Sequence, residues 1–383
     1  MSATTRFTDP VLPDPPALYL ALELSSRSWK LAFSTGPGQS PRLRTVPARD
    51  LEALAREVTA ARTRFGLSLS VPVICCYEAG RDGFWLDRFL NSDPHSVNLV
   101  VDSASIEVNR RKRRLKTDRI DALKLLAMLI RYHNGERTVY SVVHVPSPEA
   151  EDARHLHREL LTVKADRTRV TNRIKGLLAA QGLCAPPLGR NFTRALSDLR
   201  LFDGTALRPQ LTQRLEREWQ HRAELSQRIG LIERRQRELL KSRSDESALA
   251  LVEQLMTLKG IGLQSAWLFT FEFFAWRNIQ NRRQLAALAG LTPTAYQSGG
   301  QARDQGISKA GNSLVRAMTV QIAWGWLRFQ PDSELTQYYE RRFAHAGRRM
   351  RAVGIVAVAR RLLIELWRFL DTGVLPEGAV TSS

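Results

Sequence analysis

Two separate stretches of the chain carry apolar residues at alternating intervals of four and three, a spacing that sharply narrows the possible folds. The first stretch, interrupted only at Arg167, consists of Leu156, Leu160, Val163, Val170, Ile174 and Leu177. The second, interrupted only at Gln236, consists of Leu225, Ile229, Ile232 and Leu239. The spacing indicates two long helices that form an antiparallel hairpin or an oligomerising coiled coil. We interpret residues 147–247 as a helical coiled-coil connector between two domains.

The chain before this connector alternates short apolar runs with helical patterns. Two alternating runs within 17–36 predict a strand pair, and a helix is predicted at about 50–65. The continuous apolar run in "SVPVICCYEAG" (70–80) predicts a buried strand, and helical and strand patterns alternate after it. This order predicts an α/β domain over 17–146 with a partly parallel sheet. The proline-rich residues 1–16 are interpreted as a disordered extension.

The chain after the connector has the pattern of a compact, mainly α-helical domain. We place this C-terminal domain at 248–370 and interpret 371–383 as a tail. Glycine and serine are frequent between residues 290 and 313, which predicts a loop between helices there.

The net charge points to a polyanionic partner. Lysine and arginine number 57 against 38 acidic residues, a net charge of +19. Nucleic acid is the first choice, because guanidinium groups match phosphate oxygens in a bidentate way. An acidic membrane surface is the alternative, but no apolar run is long enough to span a bilayer and no lipidation signal is visible. We therefore expect no membrane partner and a cytoplasmic location, which the three cysteines, with no CxxC pair among them, also fit.

Four carboxylates are candidate ligands of a metal ion. Asp118 and Asp121 are three residues apart at the start of a predicted helix, so they share one face. Glu23 lies on the first predicted strand and Glu78 ends a buried strand, positions where α/β folds expose functional groups. Together they would bind Mg²⁺, which prefers oxygen ligands and can polarise a phosphodiester. The alternatives are that the aspartates only complement the helix dipole and that Glu23 only faces solvent.

Two basic stretches are candidate binding sites for a nucleic-acid backbone. The first, in "NRRKRRLKTDR" (109–119), contains Arg110, Arg111, Lys112, Arg113, Arg114 and Lys116. The second, "RRFAHAGRRMR" (341–351), contains Arg348 and Arg349. Seven basic side chains in eleven positions of the first stretch exceed what two aspartates need, so phosphate binding is favoured over a merely solvated face.

Ser298 is a candidate nucleophile. It precedes Gly299 and Gly300, which allow a close approach to the backbone, and it is predicted to lie within reach of Arg303 and Lys309. An ordinary helix-connecting loop is the alternative. Ser308 is the rival nucleophile, although its position also suits the N-cap of the following helix.

The stretch "LKGIG" (258–262) resembles a helix-hairpin-helix turn. The amides around Gly260 and Gly262 would grip a DNA phosphate without reading bases. A tight structural turn is an equally good interpretation of these two glycines.

Seven motifs in order resemble those of the DEDD-type transposases of the insertion sequence 110 family. The resemblance covers about residues 17–370 and rests on "YEAGRDGFWL", "KTDRIDALKLLAML", "NRIKGLLAAQG", "LMTLKGIGLQSAWLF", "LAALAGLTPTAYQSGG", "GISKAGNSLVRAM" and "VGIVAVARRLLIELW". It implies an N-terminal RuvC-like, ribonuclease-H-type domain and a C-terminal transposase domain joined by a coiled coil.

The same resemblance implies roles for particular residues and partners. Glu78, Asp118 and Asp121 match three of four metal-binding acids, and Ser298 in "SGG" matches a serine nucleophile. It further implies a homo-oligomer, dimer or tetramer, whose active sites combine domains of different subunits, and a structured non-coding guide RNA that bridges donor and target DNA. At the first acid, family members typically carry aspartate in a motif like "GIDVSK", whereas this chain has "ALELSS" with Glu23.

We therefore expect an Mg²⁺-dependent transposase that cuts and rejoins DNA through a covalent phosphoserine intermediate. One alternative is a metal-dependent junction nuclease that uses water and forms no covalent intermediate. The other is a catalytically inactive nucleic-acid-binding relative.

Overall fold

The structure, a computed structural model, describes residues 16–106, 118–242, 247–298 and 301–382. The chain divides into two compact units, Met1–Val145 and Pro146–Ser383. The predicted extension before Pro16 lies outside the described residues. The further division of the second unit into a connector and a C-terminal domain stays a prediction.

A mixed five-stranded sheet forms the centre of the first unit. Its strands are β1 (Leu18–Leu24), β2 (Ser28–Ser34), β3 (Arg42–Pro47), β4 (Val73–Glu78) and β5 (Ser96–Val101). The strand order is β3-β2-β1-β4-β5; β1, β4 and β5 are parallel, and β2 and β3 are antiparallel to their neighbours. The predicted α/β region with a partly parallel sheet is confirmed.

The described residues of this unit form three α-helices, α1 (Leu51–Arg64), α2 (Trp85–Leu90) and α3 (Asp118–His133), and a short 3-10 turn at Ser103–Ser105. Alternate residues of β1 belong to different cores. Leu18, Leu20 and Leu22 pack on the side of α1 and α2. Tyr19 and Ala21 pack on the other side, against apolar residues of α3. The sheet is therefore buried on both faces, which explains the continuous apolar runs of β1 and β4.

The second unit consists mainly of helices, as predicted. They are α4 (Pro148–Asp152), α5 (His155–Ala179), α6 (Phe192–Ser197), α7 (Pro209–Lys241), α8 (Ser247–Met256), α9 (Leu263–Phe269), α10 (Arg282–Leu288), α11 (Ser313–Phe329), α12 (Glu334–Tyr339) and α13 (Arg348–Thr372). Short π-helical turns follow α9 at Thr270–Phe274 and α12 at Glu340–Ala344. Within the described part of the chain, no helix is both long and apolar enough to cross a membrane.

The region between residues 290 and 313 contains a two-stranded hairpin, β6 (Pro293–Ser298) and β7 (Gln301–Ile307). The prediction of a plain loop between helices is therefore wrong. Two residues, Gly299 and Gly300, separate the strands, and a two-residue glycine connection is typical of β-hairpins. The polar residues of both strands hid their extended conformation.

Helices α5 and α7 pair within one chain as an antiparallel hairpin. Near the start of α5, Glu159 bonds Arg228 from the second half of α7. Near the end of α5, Arg173 bonds Glu218 from the first half of α7 at 2.7 Å. Leu160, Val163, Val170 and Ile174 are buried as the four-three spacing predicts, but Leu178 replaces Leu177 in the core. Buried Gln236 accepts a hydrogen bond of 2.9 Å from Gln264 of α9. A coiled coil between subunits stays a prediction.

A buried ion pair joins α5 to the π-helical turn after α9. Arg158 donates to both carboxylate oxygens of Glu272, at 2.6 and 2.9 Å, and Glu272 is 1% exposed. Asn312, which caps α11, contacts the same carboxylate at 3.5 Å. Burial alone raises the pKa of Glu272, but the bonds and charge of Arg158 outweigh this and hold the pKa below its ordinary value.

His157 lies next to Arg158 on α5, and its burial makes us expect a stability that depends on pH. Burial lowers its pKa from the ordinary 6.5 to about 4, and neither ring nitrogen has a partner among the described residues. The imidazole of His157 therefore binds a proton more readily in the unfolded chain than in the folded one. Its contribution to the free energy of unfolding is complete above pH 6.5 and is lost as the pH falls towards 4, by about 3 kcal/mol. We expect His157→Leu to flatten this loss in urea unfolding at stepped pH. His155→Gln, at an exposed position two residues earlier, should keep it; equal pH profiles for both variants would contradict the prediction.

Candidate active site

Glu23 and Glu78 lie side by side at the ends of two neighbouring parallel strands. Leu22 of β1 is in register with Tyr77 of β4, so the next positions along both strands are Glu23 and Glu78. Neighbouring strands lie about 4.8 Å apart. Glu23 and Glu78 therefore occupy neighbouring positions on the two strands, and their joint binding of a metal ion stays a prediction.

Both carboxylates occupy the face of the sheet that α3 covers. Side chains alternate along a strand, and Ala21 and Cys76, two positions earlier, pack in the α3 core. Glu23 is half-buried and Glu78 is exposed. A cavity of about 460 Å³ opens beside them.

The direction of α3 carries its two aspartates towards the same end of the sheet. Tyr19, early in β1, contacts Nδ1 of His133 at the last residue of α3, with an O–N distance of 2.9 Å. Further along, the Cys76 thiol is 3.9 Å from the carbonyl oxygen of Leu125. Asp121 lies one helical turn before Leu125, and Glu78 lies two residues after Cys76. Asp121 is therefore on the turn of α3 nearest the glutamates.

The register of β1 with β4 and the direction of α3 place the four acidic residues towards one end of the sheet. Asp118 and Asp121 share the first turn of α3, with Asp118 exposed and Asp121 half-buried. Among the described residues, no three histidine, cysteine or acidic side chains are close enough to hold one metal ion together. The donor set itself fits Mg²⁺, since every donor is a carboxylate oxygen.

Asp82 also borders this cavity and was missed by the sequence analysis. Its side chain is 6% exposed and forms ion pairs with Arg49 at 3.3 Å and Arg81 at 3.4 Å. The phenol of Tyr77 donates to the carbonyl of Gly83 at 3.0 Å, which fixes the loop after β4. Burial raises the pKa of Tyr77 far above its usual range, so the phenol stays protonated. The acid in "EAGRDGF" directly after a buried strand was the available signal.

Ser298 ends β6 at the tip of the hairpin, in register with Gln301. Arg303 is only two positions further along β7, opposite Tyr296. Lys309 lies beyond the far end of β7, where its amide donates to the carbonyl of Gly290 at 3.1 Å. Since β7 rises about 3.3 Å per residue, the prediction that Lys309 lies within reach of Ser298 is wrong.

The predicted N-cap role of Ser308 is also wrong. The side chain of Asn312 caps α11 by accepting from the amides of Leu314 and Val315. Ser308 instead lies at the base of the hairpin, where its amide donates to the carbonyl of Thr292 at 2.8 Å. The intervening Gly311 allows the sharp bend before α11, and Asn is as good an N-cap as Ser.

Gly290 allows a close backbone contact at this base. Its φ is +69°, and an added Cβ would lie 1.9 Å from the carbonyl oxygen of Ala310. We expect Gly290→Ala to reduce the free energy of unfolding by about 3 kcal/mol, because it combines backbone strain with overpacking. Gly189→Ala, where a Cβ meets nothing, is the control. Thermal unfolding of both variants tests this; similar midpoints would show that the contact is not tight.

The stretch "LKGIG" connects α8 to α9, so it lies between two helices as a helix-hairpin-helix turn does. Gly260 has a φ of +98°, and Gly262 caps the start of α9. The residues after α13 fold back onto this turn: the amide of Lys259 donates to the carbonyl of Val380 at 3.2 Å. A phosphate-binding role for the turn stays a prediction.

The two basic stretches differ in how much of them the structure describes. Arg110, Arg111, Lys112, Arg113, Arg114 and Lys116 lie outside the described residues. Arg348 and Arg349 are exposed in the first turn of α13. Their predicted contact with nucleic acid is untested.

The family model and the relatives that match this chain all carry transposase names. A model of the transposase IS116/IS110/IS902 family matches residues 252–340. The Sinorhizobium fredii protein y4rJ, which carries a transposase name, is 40% identical over 377 residues, 95% of this chain and 94% of the relative. The transposase for insertion sequence element IS1328 of Yersinia enterocolitica is 28% identical over 67% of this chain and 72% of its own length.

A further relative is the transposase for insertion sequence element IS1111A of Coxiella burnetii, 24% identical over 56% of this chain and 55% of its own length. The match to y4rJ extends over nearly the whole of both chains and includes both units described above. This protein therefore belongs to the IS116/IS110/IS902 family of transposases, enzymes that cut and rejoin DNA.

Proposed function

We propose that this transposase moves an insertion sequence by Mg²⁺-dependent strand cleavage with Ser298 as the nucleophile. The observation that carries the proposal is the convergence of Glu23, Glu78 and the first turn of α3 on one end of the sheet. Carboxylates that cluster near strand ends suit metal-assisted phosphoryl chemistry. The transposase names of the relatives, two of them for insertion sequence elements, supply the substrate class.

Glu23, Glu78, Asp118 and Asp121 would hold Mg²⁺, which, when bound, polarises the phosphodiester and stabilises the leaving oxygen. Glu23 supplies the same oxygen ligand as an aspartate on a side chain one methylene longer. In cleavage, the Ser298 oxygen forms a bond to phosphorus and the bond from phosphorus to one deoxyribose oxygen breaks. The serine proton ends on that leaving oxygen. Attack by a second deoxyribose hydroxyl reverses the exchange and frees the serine.

The remaining partners belong to the same proposal. DNA at the element ends and target is the substrate, a structured non-coding RNA guides their pairing, and the enzyme acts as a homo-oligomer. The mixed sheet with helices beside it supports a RuvC-like, ribonuclease-H-type fold for the first unit. The paired helices α5 and α7 support a connector that could extend as a coiled coil between subunits.

A gel assay for a covalent protein-DNA adduct tests the proposal. The full chain is incubated with an element-end duplex, Mg²⁺ and the flanking non-coding RNA, as wild type, Ser298→Ala and Asp121→Ala. We expect an adduct in wild type and none in either variant. Cleavage by Ser298→Ala without an adduct would favour the junction nuclease, and binding without cleavage in wild type would favour an inactive relative.

A further inference from the structure

A single row of side chains crosses the α3 face of the sheet from acidic to basic. Glu78 on β4 lies beside Glu23 on β1, which is opposite Lys30 on β2, which is opposite Thr45 on β3. Ala32 and Leu43, two positions from Lys30 and Thr45, pack in the α3 core, so these positions share the face of the glutamates. The backbone of Lys30 on β2 is therefore about 4.8 Å, the spacing of neighbouring strands, from the backbone of Glu23 on β1.

Lys30 directs its charge away from the glutamates. Its ammonium donates to the Thr45 hydroxyl at 2.6 Å, across β3. Arg119, exposed in the first turn of α3, lines the same cavity as Lys30 and Thr45, with a volume of about 570 Å³. Of the described carboxylates, none forms an ion pair with Lys30 or Arg119. Arg44 also lines this cavity, but Glu57 lies 3.6 Å from it.

Two cations without acidic partners in one cavity repel each other, and an anion between them would remove that repulsion. A lysine used only to bond Thr45 would need no charge, since a neutral amide can donate as well. A phosphate is the anion that fits, because the neighbouring carboxylates are proposed to act on a phosphodiester. The carboxylates on β1 and β4 would hold one phosphate through the metal ion, and the cations beside β2 would hold the next phosphate of the same DNA strand.

We infer that Lys30 and Arg119 bind a backbone phosphate of the DNA strand that is cut, next to the phosphate at the carboxylates. This inference rests on the proposed function. Both residues act as positioning residues: they hold the strand in register with the carboxylates and do not touch the reacting phosphorus. The contact is to the backbone, so it is independent of base sequence.

The salt dependence of DNA binding measures this contact. Fluorescence anisotropy of the full chain with a labelled element-end duplex, repeated over a range of salt concentrations, gives the slope of log affinity against log salt. We expect Lys30→Gln and Arg119→Gln each to lower the slope by about one, the value for one lost phosphate contact. Lys30→Arg should restore the wild-type slope because it keeps the charge.

Two control variants separate charge from structure. Thr45→Val removes the hydroxyl that Lys30 bonds but keeps the charge, so its slope should equal that of wild type. Arg64→Gln removes an exposed cation from α1, on the opposite face of the sheet, and should also leave the slope unchanged.

An unchanged slope in Lys30→Gln, an equal loss in Arg64→Gln, or a loss seen only with the flanking RNA as ligand would each overturn the inference. The proposed function fails in a different readout, since wild type would then form no covalent adduct. Wild-type adduct together with an unchanged slope in Lys30→Gln would reject the phosphate site alone.

Discussion

Alanine in place of Glu78 or Asp121 will lower the rate of DNA cleavage by roughly a thousandfold or more. These residues come from different elements, β4 and α3, and the packing of Cys76 against Leu125 brings them to the same end of the sheet. Each substitution removes one of the proposed carboxylate ligands, and a bound metal ion contributes several kcal/mol to stabilising the transition state. The loss should appear in the rate constant at saturating DNA.

Single-turnover cleavage of an element-end duplex at several Mg²⁺ concentrations measures this effect. Glu78→Gln should behave like Glu78→Ala, because the amide keeps the shape of the side chain but loses its charge. Glu52→Gln is the matched control, since Glu52 is an exposed acid of α1 on the opposite face of the sheet. Cleavage by the Glu78 and Asp121 variants within a few-fold of wild type would exclude these carboxylates from catalysis.

Arg158→Ala will reduce the free energy of unfolding by about 2–3 kcal/mol. It leaves the buried Glu272 carboxylate without its bidentate partner, and uncompensated buried charges are strongly destabilising. The expected value lies below that of a fully buried pair because the Arg158 side chain is 49% exposed. Chemical denaturation near pH 7 measures the loss.

Arg173→Ala is the matched control for this substitution. Arg173 lies on the same helix, is similarly exposed and pairs with Glu218, whose side chain is more accessible than that of Glu272. A solvent-accessible pair contributes about 1 kcal/mol or less, and the more accessible Glu218 can regain water, so this variant should lose clearly less stability than Arg158→Ala. Adding Glu272→Gln to Arg158→Ala should recover part of the stability. Equal losses in both arginine variants would show that burial of the carboxylate is unimportant.

The positions of the carboxylates were predictable, but their meeting was not. Glu78 was identified from the buried run that it ends, and Asp118 and Asp121 from the start of a helical pattern. Their convergence depends on β1 pairing with β4 in parallel and on α3 running back along β1. The spacing of apolar residues predicts neither the strand order nor the direction of α3, because both depend on contacts between residues far apart in the chain.

The three strands that the sequence analysis missed, β3, β6 and β7, are all rich in polar residues. β3, in "RLRTVP", is at the edge of the sheet and carries charged residues, as edge strands commonly do. β6 and β7 form an isolated two-stranded hairpin with few apolar residues. Their sequences, "PTAYQS" and "QARDQGI", lack the alternation of apolar and polar residues that reveals a strand. The glycine pair after Ser298 was the one local signal of the turn.

Lys30 and Asp82 show what a search for motifs leaves out. Lys30 is a single charged residue that belongs to no recognisable pattern in the sequence. Asp82 lies within "YEAGRDGFWL", but nothing in that motif alone distinguishes it from the other charged residues there. Lys30 joins the glutamates through the register of β1 with β2, and Asp82 joins them through the loop after β4. Both become candidates only when the neighbouring strands are known.

The most direct test of the proposed chemistry is to identify the residue that carries DNA during the reaction. Wild-type protein is incubated with an element-end duplex, Mg²⁺ and flanking RNA, denatured, digested with nuclease and protease, and analysed by mass spectrometry. A nucleotide joined through phosphate to the peptide that contains Ser298, absent without Mg²⁺ and absent from Asp121→Ala, is the result that we predict. A nucleotide on Ser308, or cleaved DNA with no modified peptide, would contradict the assignment of Ser298 as the nucleophile.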